Sequence, residues 1–407
     1  LSDANPWRIS PLGRYFVTKN NTTIMAFAVG GKYKPGNGFA IIGSHTDSLA
    51  PRVKPTSRLH SGMYNQLAVL RYGGGDEMFK WFDRDFSVAG QVIVKTGQTM
   101  SRRLVRIEHP ILYIPSIHEG SVYPKDSSDV KSERQYDPIF ESRAMEERSS
   151  RRFMKGAPNE FGSRILGQPR RFIELIADAA NTTPENIVDM DLFLYDTNQA
   201  RIGGIHNEFI TGGGTDNKVG TYLCMKALLD SLENEDELKN DENVRVLIGN
   251  VSEMGAASSF IKHVLKRLTV GGPQNAYELA ISRSMLITVD QTHAVHPNFP
   301  DKHEVNHHVK INGGPVSSIG VGFGTTATSI AILKKLAAEA KVPLQILIPR
   351  NNLGVGGTMS AAMAHGLGIL TVDASGCSEL AMHSARSLTY SYGVIMGVRL
   401  FSVSCLL

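Results

Sequence analysis

The second half of the chain alternates between helical segments and short apolar runs, and this alternation limits the fold more than any other feature. The helical segment "KVGTYLCMKALLDSL" precedes the run "VRVLIGN", and "SSFIKHVLKRL" precedes "MLITVD". The same order returns with "SIAILKKLAAEA" and the runs "LQILI" and "LGILTVD". Strands that alternate with helices usually pair in parallel and are covered by helices on both faces. We therefore predict an α/β fold with a mostly parallel sheet and helices on both of its faces.

The first part of the chain has a different pattern, and 407 residues exceed one ordinary core. Residues 1–58 contain strand-like runs such as "FAIIGS", whereas residues 59–198 combine strand and turn patterns with a charged, Ser-rich stretch at 125–156. We assign residues 1–58 and 199–407 to the α/β domain, and residues 59–198 to an inserted β-rich domain that pairs subunits or covers a site. We expect loops in the charged stretch and in the acidic run at 233–243.

Composition argues against several classes of function. The formal charge is only +4, and Lys and Arg are scattered along the chain, which argues against nucleic acid as a partner. No run reaches the roughly 18 apolar residues of a membrane span, so we expect no membrane contact. The cysteines, Cys224, Cys377 and Cys405, are odd in number and widely spaced. We therefore expect buried free thiols and an intracellular location.

Polar residues follow the predicted strands in a set of five stretches. The stretches "GSHTDS", "GGGTDNKVG", "NVSEMG", "TVDQTHAVHPN" and "LAMHSAR" supply His45, Asp216, Glu253, Asp290 and His383. Open α/β sheets place their sites where parallel strands end. One such residue alone would more often cap or hydrogen-bond the backbone than bind a ligand. Together, two imidazoles and three carboxylates suit a pair of Zn²⁺ ions with one bridging carboxylate, and the same donor types accept Mn²⁺ or Co²⁺.

Along almost its whole length the chain resembles the M18 family of metallopeptidases, the aspartyl aminopeptidases. The resemblance is carried by "NTTIMAFAVGGKYKPGNGFAIIGSHTDSLAPRVKP", "WFDRDFSVAG", "GGIHNEFI", "DQTHAVHPNFPDKHEVNH" and "LAMHSAR". It implies a zinc exopeptidase fold that removes N-terminal, acidic residues from peptides. It also implies dimers formed through the inserted domain and a dodecamer built from them. By the same resemblance, the usual N-terminal segment of the family is missing ahead of Leu1. The family has cytosolic and vacuolar members, and we expect the cytoplasm for this chain.

The resemblance also implies a role for each candidate metal ligand. One zinc ion would be held by His45 and Asp290. The other would be held by Glu253 and His383, with Asp216 bridging the two ions. The site would thus be a co-catalytic dizinc centre.

Other residues take supporting roles by the same resemblance. Asp47 would orient the imidazole of His45, and a cis peptide bond is expected between Asp216 and Asn217. His118, in "IPSIHEG", matches a family histidine that reaches the active site of a neighbouring subunit. The residues expected to contact substrate are Ser318, His296 and Met382.

Several positions depart from the family pattern. Family members have two consecutive glutamates where this chain has Ser252 and Glu253, and the first glutamate is the general base that takes a proton from the attacking water. The family lysine that pairs with an acidic substrate side chain is replaced by Ser318. The stretch "RNNLGVG" at 350–356 replaces "RNDSPCG", and Ser387 replaces a glutamate. The predicted ligands are thus kept, whereas groups for chemistry and specificity are lost.

Two functions of different classes fit this pattern. The first is a dizinc aminopeptidase with weak turnover, because Ser252 stands at the position of the general base. The second is a catalytically inactive metal-binding homologue that acts as a structural or peptide-binding subunit. A dimetal phosphoesterase would use similar ligands, but no anion-binding Lys or Arg motif accompanies them. We favour the aminopeptidase.

Replacing Ser252 with glutamate is expected to raise kcat by about 10² or more, because a serine hydroxyl cannot accept a proton near neutral pH. The zinc content should stay the same, since Ser252 is not among the predicted ligands. Hydrolysis of aspartyl and glutamyl chromogenic amides with excess Zn²⁺ measures the effect. If wild-type protein is already as fast as the variant, another residue supplies the base.

Overall fold

The computed structural model describes residues 1–2, 4–73, 78–116, 135–153, 167–250, 258–320, 322–352 and 359–406. Its strands are β1 (Arg14–Lys19), β2 (Thr23–Val29), β3 (Phe39–His45), β4 (Ala50–Ser61), β5 (Tyr64–Tyr72), β6 (Asp85–Thr96), β7 (Thr99–Arg106), β8 (Leu112–Tyr113), β9 (Ile139–Ser142), β10 (Ile187–Asp196), β11 (Arg201–Gly203), β12 (Phe209–Gly212), β13 (Val244–Asn250), β14 (Met285–His293), β15 (Val316–Ser318), β16 (Gln345–Leu347), β17 (Leu370–Leu380) and β18 (Ser387–Tyr390).

Its α-helices are α1 (Arg143–Phe153), α2 (Arg170–Ala179), α3 (Thr215–Ser231), α4 (Glu235–Asn240), α5 (Ser259–Leu268), α6 (Ala276–Ser282), α7 (Ala327–Glu339), α8 (Met359–Leu367) and α9 (Ser391–Ser404). Among the described residues, none of the helices has the length and apolar character needed to cross a membrane.

The chain divides into two compact units. The first contains Leu1–Ser48, Arg201–Met382 and Ser387–Leu407, and the second contains Leu49–Ala200 and His383–Arg386.

The first unit is built on an 11-stranded mixed sheet, whose main path runs β1-β2-β13-β3-β14-β17-β18-β12-β11. The central strands β13, β3, β14 and β17 are parallel to their neighbours in this group. Antiparallel strands extend the sheet on either side of them. The predicted α/β class is confirmed, and the parallel pairing lies mainly at the centre of the sheet.

Helices cover both faces of this sheet, as the alternation of buried side chains along β3 illustrates. Ile42 belongs to an apolar cluster with residues of α3, α7 and α9, whereas Ile41 belongs to a cluster with residues of α5, α6 and α8. Successive side chains of a strand point to opposite faces, so the two clusters are separate layers on either side of the sheet. The strands at the centre are therefore buried on both faces, which explains their continuous apolar sequence.

The second unit contains a seven-stranded sheet in the order β10-β4-β5-β9-β8-β6-β7, with a further pairing between β10 and β6. Helix α2 contributes Phe172 and Ile176 to the apolar cluster of this unit. The unit begins at Leu49 rather than at the predicted residue 59, because most of β4 pairs with β5, and Arg52 of β4 also pairs with Phe193 of β10. It also includes His383–Arg386, which the sequence assigned to the α/β domain.

Regular structure occurs in two stretches for which the sequence predicted loops. Helix α4 lies in the acidic run, because the side chain of Asn234 accepts hydrogen bonds from the N–H groups of Asp236 and Glu237. Acidic residues in its first turn also favour the positive end of the helix dipole. In the charged stretch, β9 pairs with β5 and α1 follows directly. The backbone pairing of β9 outweighs the polar composition, and the remainder of that stretch includes residues outside the described part.

The three cysteines are free and buried. Burial raises the pKa of Cys377 and of Cys405 to about 12. Since a thiolate is the reactive form, these side chains are inert packing residues at neutral pH. The prediction of buried free thiols is confirmed.

Helix α9 packs very closely on β17 because both elements carry glycine at the contact. A β-carbon on Gly397 would stand 3.0 Å from Cα of Gly376 and 3.0 Å from Cδ1 of Leu223. These distances are shorter than ordinary contacts between carbon atoms. Glycine at position 397 is therefore required by the approach of the strand backbone, which cannot give way as a flexible side chain would.

Gly397→Ala is expected to destabilise the protein by about 1–3 kcal/mol, because the added methyl group overpacks the contact with β17. Gly366→Ala in α8 is the matched control, since among the described residues no atom outside the adjoining helix backbone lies within 4 Å of a β-carbon at that position. Removing a helical glycine there should stabilise by up to about 1 kcal/mol. Urea denaturation of both variants measures the difference, and equal effects would contradict the packing argument.

Candidate metal centre

Three elements of the first unit each supply a side chain to one polar cluster. His45 is the last residue of β3, Asp290 lies in β14 and Asp216 lies in the first turn of α3. Strands β3 and β14 are parallel neighbours, so their carboxyl ends meet at the same edge of the sheet. The fold thus brings together three of the five ligands predicted from sequence.

The geometry of this cluster suits a metal ion. Nε2 of His45 lies 3.1 Å from Oδ1 of Asp216 and 3.3 Å from Oδ1 of Asp290. One donor atom from each residue lies within 4.8 Å of the other two. The side chains of His45, Asp216 and Asp290 are only 15%, 9% and 16% exposed. A nitrogen donor and two carboxylate oxygens around one point fit the preferences of Zn²⁺.

Asp47 contacts the other ring nitrogen of His45. Nδ1 lies 3.1 Å from Oδ1 of Asp47 and 3.1 Å from its backbone oxygen. A proton on Nδ1 satisfies these two acceptors and leaves the lone pair of Nε2 directed towards Asp216 and Asp290. This is the arrangement that second-sphere carboxylates impose on metal-binding histidines.

The electrostatics of the cluster favour a positive charge. Burial by itself would lower the pKa of His45, but hydrogen bonds to Asp216, Asp290 and Asp47 raise it to about 12. Burial raises the pKa of Asp290, His45 opposes the shift, and the charge of Asp216 adds to it. Each shift favours the binding of a proton where carboxylates crowd together. A divalent cation would likewise offset the negative charge of these carboxylates, so the residues present fit a metal ion.

Hydrogen bonds hold the residues on either side of Asp216. Asn217 is fully buried, and its Nδ2 donates to the carbonyl of Val289 at 2.8 Å while its Oδ1 accepts from the N–H of Gly220 at 3.1 Å. The hydroxyl of Thr215 donates to the buried carboxylate of Glu379. The cis peptide bond predicted between Asp216 and Asn217 is present.

Sequence reasoning had not assigned these supporting roles to Thr215, Asn217 and Glu379. The polar residues on both sides of Asp216 were a usable signal for the first two. Nothing in the sequence indicates that Glu379, far along the chain in β17, contacts Thr215.

The other predicted site residues lie elsewhere in the fold or outside the described part of the chain. Ser252, Glu253 and His118 lie outside the described residues. Strand β13 ends at Asn250, which pairs in register with His45. His383 belongs to the second unit, where its carbonyl accepts a hydrogen bond from the indole of Trp81 at 3.0 Å. The place of His383 in the ligand set stays a prediction.

The residues predicted to contact substrate are mostly buried. Ser318 is 2% exposed within β15, and Met382 is 7% exposed. The backbone N–H of His296 donates to Nε2 of His303 at 3.0 Å. The ring centroids of His296 and Phe299 are 5.0 Å apart. A buried, neutral hydroxyl at position 318 offers no positive charge to an acidic substrate. The roles of these three residues stay predictions.

Comparison with known proteins identifies one family over the whole chain. The family model described as "Aminopeptidase I zinc metalloprotease (M18)" matches residues 1–403. The chain is 43% identical over 419 residues to an aspartyl aminopeptidase from Caenorhabditis elegans, covering 99% of this chain and 87% of that protein. It is 35% identical over 419 residues to aspartyl aminopeptidase 1 from Schizosaccharomyces pombe, again covering 99% and 87%.

A solved structure shows the same relationship in three dimensions. A chain from the cryo-EM structure of the Ape4 and Nbr1 complex is similar with a TM-score of 0.89 and 32% identity, covering 100% of this chain and 79% of that one. Both the sequence relatives and this structure agree with the resemblance seen in the motifs. The chain therefore belongs to the M18 family of metallopeptidases.

Proposed function

We propose that this chain is a co-catalytic dizinc aminopeptidase that removes acidic N-terminal residues from peptides, with slow turnover because of Ser252. One observation carries the proposal: the imidazole of His45 faces Asp216 and Asp290 through Nε2 and Asp47 through Nδ1. Such a pre-oriented donor set is typical of metallohydrolases. Membership of the M18 family and relatives named aspartyl aminopeptidases support the same function.

The ligands would divide between two ions. His45 and Asp290 would hold one, Glu253 and His383 the second, and Asp216 would bridge them; zinc is our choice, with Mn²⁺ or Co²⁺ as substitutes. When bound, the metal pair polarises the scissile carbonyl and makes water a better nucleophile. Crowded carboxylates in a mostly buried position would bind such ions strongly, because little solvent screens them.

The remaining residues would position groups and move protons. Asp47 would keep Nδ1 of His45 protonated, which leaves Nε2 available as a donor. Ser252 would contribute no base, because its neutral hydroxyl neither accepts a proton from water nor passes one to the leaving amine. His118 from a neighbouring subunit, with His296 and Met382, would contact the substrate.

The second candidate is a metal-binding homologue without useful catalysis, which would act as a structural or peptide-binding subunit. The replacement at Ser252 favours it, since loss of a general base costs about 10² to 10⁴ in rate. The burial of Ser318 also favours it, because no charge at that position recognises an acidic residue. The metal ligands would then serve stability rather than turnover.

We further propose that the second unit mediates self-association, to dimers and then to a dodecamer. Strand β7 is at one end of its sheet and pairs with β6 alone among the described strands. Met100 and Leu104, on one face of β7, are 67% and 75% exposed. An open strand edge with exposed apolar side chains is a surface that pairing would cover. We place this assembly in the cytoplasm, in keeping with the free thiols.

Asp216→Asn is expected to reduce bound zinc from about two ions per chain to one or fewer, because a neutral amide cannot bridge two cations. Asp230→Asn is the matched control on the same helix, since Asp230 pairs with Lys226. Metal content after dialysis is measured by elemental mass spectrometry. EDTA should lower the melting temperature of wild-type protein more than that of Asp216→Asn. Equal zinc in both variants would remove Asp216 from the centre.

Zinc-loaded wild-type protein is expected to cleave aspartyl amides slowly but measurably, and faster than leucyl amides. EDTA should abolish this activity, and His45→Ala should lower it at least about 10²-fold, because a metal ligand is lost. His263→Ala, an exposed position on α5, serves as the control. A protein that carries two zinc ions and shows no turnover above buffer would favour the inactive subunit.

A further inference from the structure

The start of α3 carries a lysine close in sequence to Asp216. Lys218 follows Asp216 by two residues, and its N–H donates to the carbonyl of Gly214 at 3.2 Å. A β-carbon on Gly214 would stand 2.6 Å from Nζ of Lys218 and 2.7 Å from Oγ of Ser48. The ammonium group therefore folds back over Gly214 and lies near the hydroxyl of Ser48.

Glycine at position 214 makes room for this arrangement. Gly214 has a φ of 69°, a conformation that favours glycine, and a β-carbon there would require the ammonium group and the hydroxyl of Ser48 to move. Ser48 in turn directly follows Asp47, which contacts His45. Lys218 is thus related to the proposed ligands in two ways. It follows Asp216 by two residues, and its ammonium group lies near Ser48, the residue next to Asp47.

Lys218 has no counterion among the residues that the structure describes. Its ammonium group makes no hydrogen bond or ion pair with any of them. Lys226, two turns further along α3, is paired with Asp230 instead. Lys218 is an exposed residue as a whole, so a carboxylate can approach it from solvent, although partial burial of its ammonium group lowers the pKa of Lys218.

An acidic substrate needs such a cation at this site. Its carboxylate would approach Asp47, Asp216 and Asp290, and like charges at short range repel one another. Ser318 is neutral and 2% exposed, so it cannot balance the substrate's charge. A lysine two residues after Asp216, with no counterion among the residues that the structure describes, can supply the missing charge.

We propose that Lys218 is a specificity-determining residue that binds a carboxylate of the substrate. The carboxylate belongs either to the N-terminal residue that is removed or to the residue after the scissile bond. In both cases the ammonium group donates charge-assisted hydrogen bonds to it. The inference rests on the proposed function and names the group that recognises acidic substrates.

Binding of small ligands tests this without relying on turnover. Zinc-loaded wild-type protein, Lys218→Met, Lys218→Arg and the control Lys226→Met are titrated calorimetrically with L-aspartate, L-asparagine, alanyl-aspartate and alanyl-asparagine. Lys218→Met should weaken binding of an acidic ligand about tenfold or more, while its amide partner changes less than about twofold. Lys218→Arg should retain the preference, and Lys226→Met should behave as wild type.

The pattern of loss identifies the carboxylate that is bound. A loss for L-aspartate assigns Lys218 to the N-terminal residue, and a loss for alanyl-aspartate alone assigns it to the second residue. Equal changes for acidic and amide ligands, or no change in Lys218→Met, would overturn the inference. So would a zinc-loaded wild-type protein that does not prefer acidic ligands, although the proposed metal chemistry would survive. Absence of bound metal would overturn the proposed function and this inference with it.

Discussion

Negative charge gathered around one imidazole is the constraint on which the candidate site depends. Asp47, Asp216 and Asp290 all contact His45, and the side chains in this group are largely shielded from water. Carboxylates held this close repel one another unless a cation lies between them. Folding the first unit therefore commits the chain to binding either protons or a metal ion at this edge of the sheet. Metal binding and stability are coupled in such a centre.

The supporting structure shows how the fold offsets this repulsion. His45 and Asp290 are held by parallel strands that are buried on both faces, and Asp216 lies between two hydrogen-bonded neighbours, Thr215 and Asn217. Donor atoms fixed in this way lose little conformational entropy when an ion binds. The cost of bringing like charges together is met by packing and hydrogen bonds away from the donors themselves.

Sequence alone predicts much of this architecture because its signals are local. The alternation of apolar runs and helical segments predicts the α/β class, and strand ends with the M18 motifs lead to His45, Asp216 and Asp290. The misjudged segments are those in which tertiary or capping interactions override composition. Helix α4 depends on the side chain of Asn234, and β9 depends on pairing with β5.

The position of Lys218 illustrates a second limit. Lysines are common on helices, and only the fold shows that this one turns back over Gly214 towards the start of α3. The contact between Thr215 and Glu379 has the same character, because the two residues are distant in sequence. Contacts between residues that are distant in sequence produce no periodic pattern from which a single sequence could predict them.

One apolar cluster of the first unit also affects the order in which the protein can fold during its synthesis. Ala28 and Ile42, near the start of the chain, share this cluster with Leu400, Phe401 and Cys405 near its end. The early strands therefore cannot bury this part of their apolar surface until the C-terminal residues of the cluster have left the ribosome. All strands of the second sheet lie between Leu49 and Ala200, so their pairing can be completed while the later part of the chain is still being synthesised. The first unit is thus the one that needs protection from aggregation while translation continues.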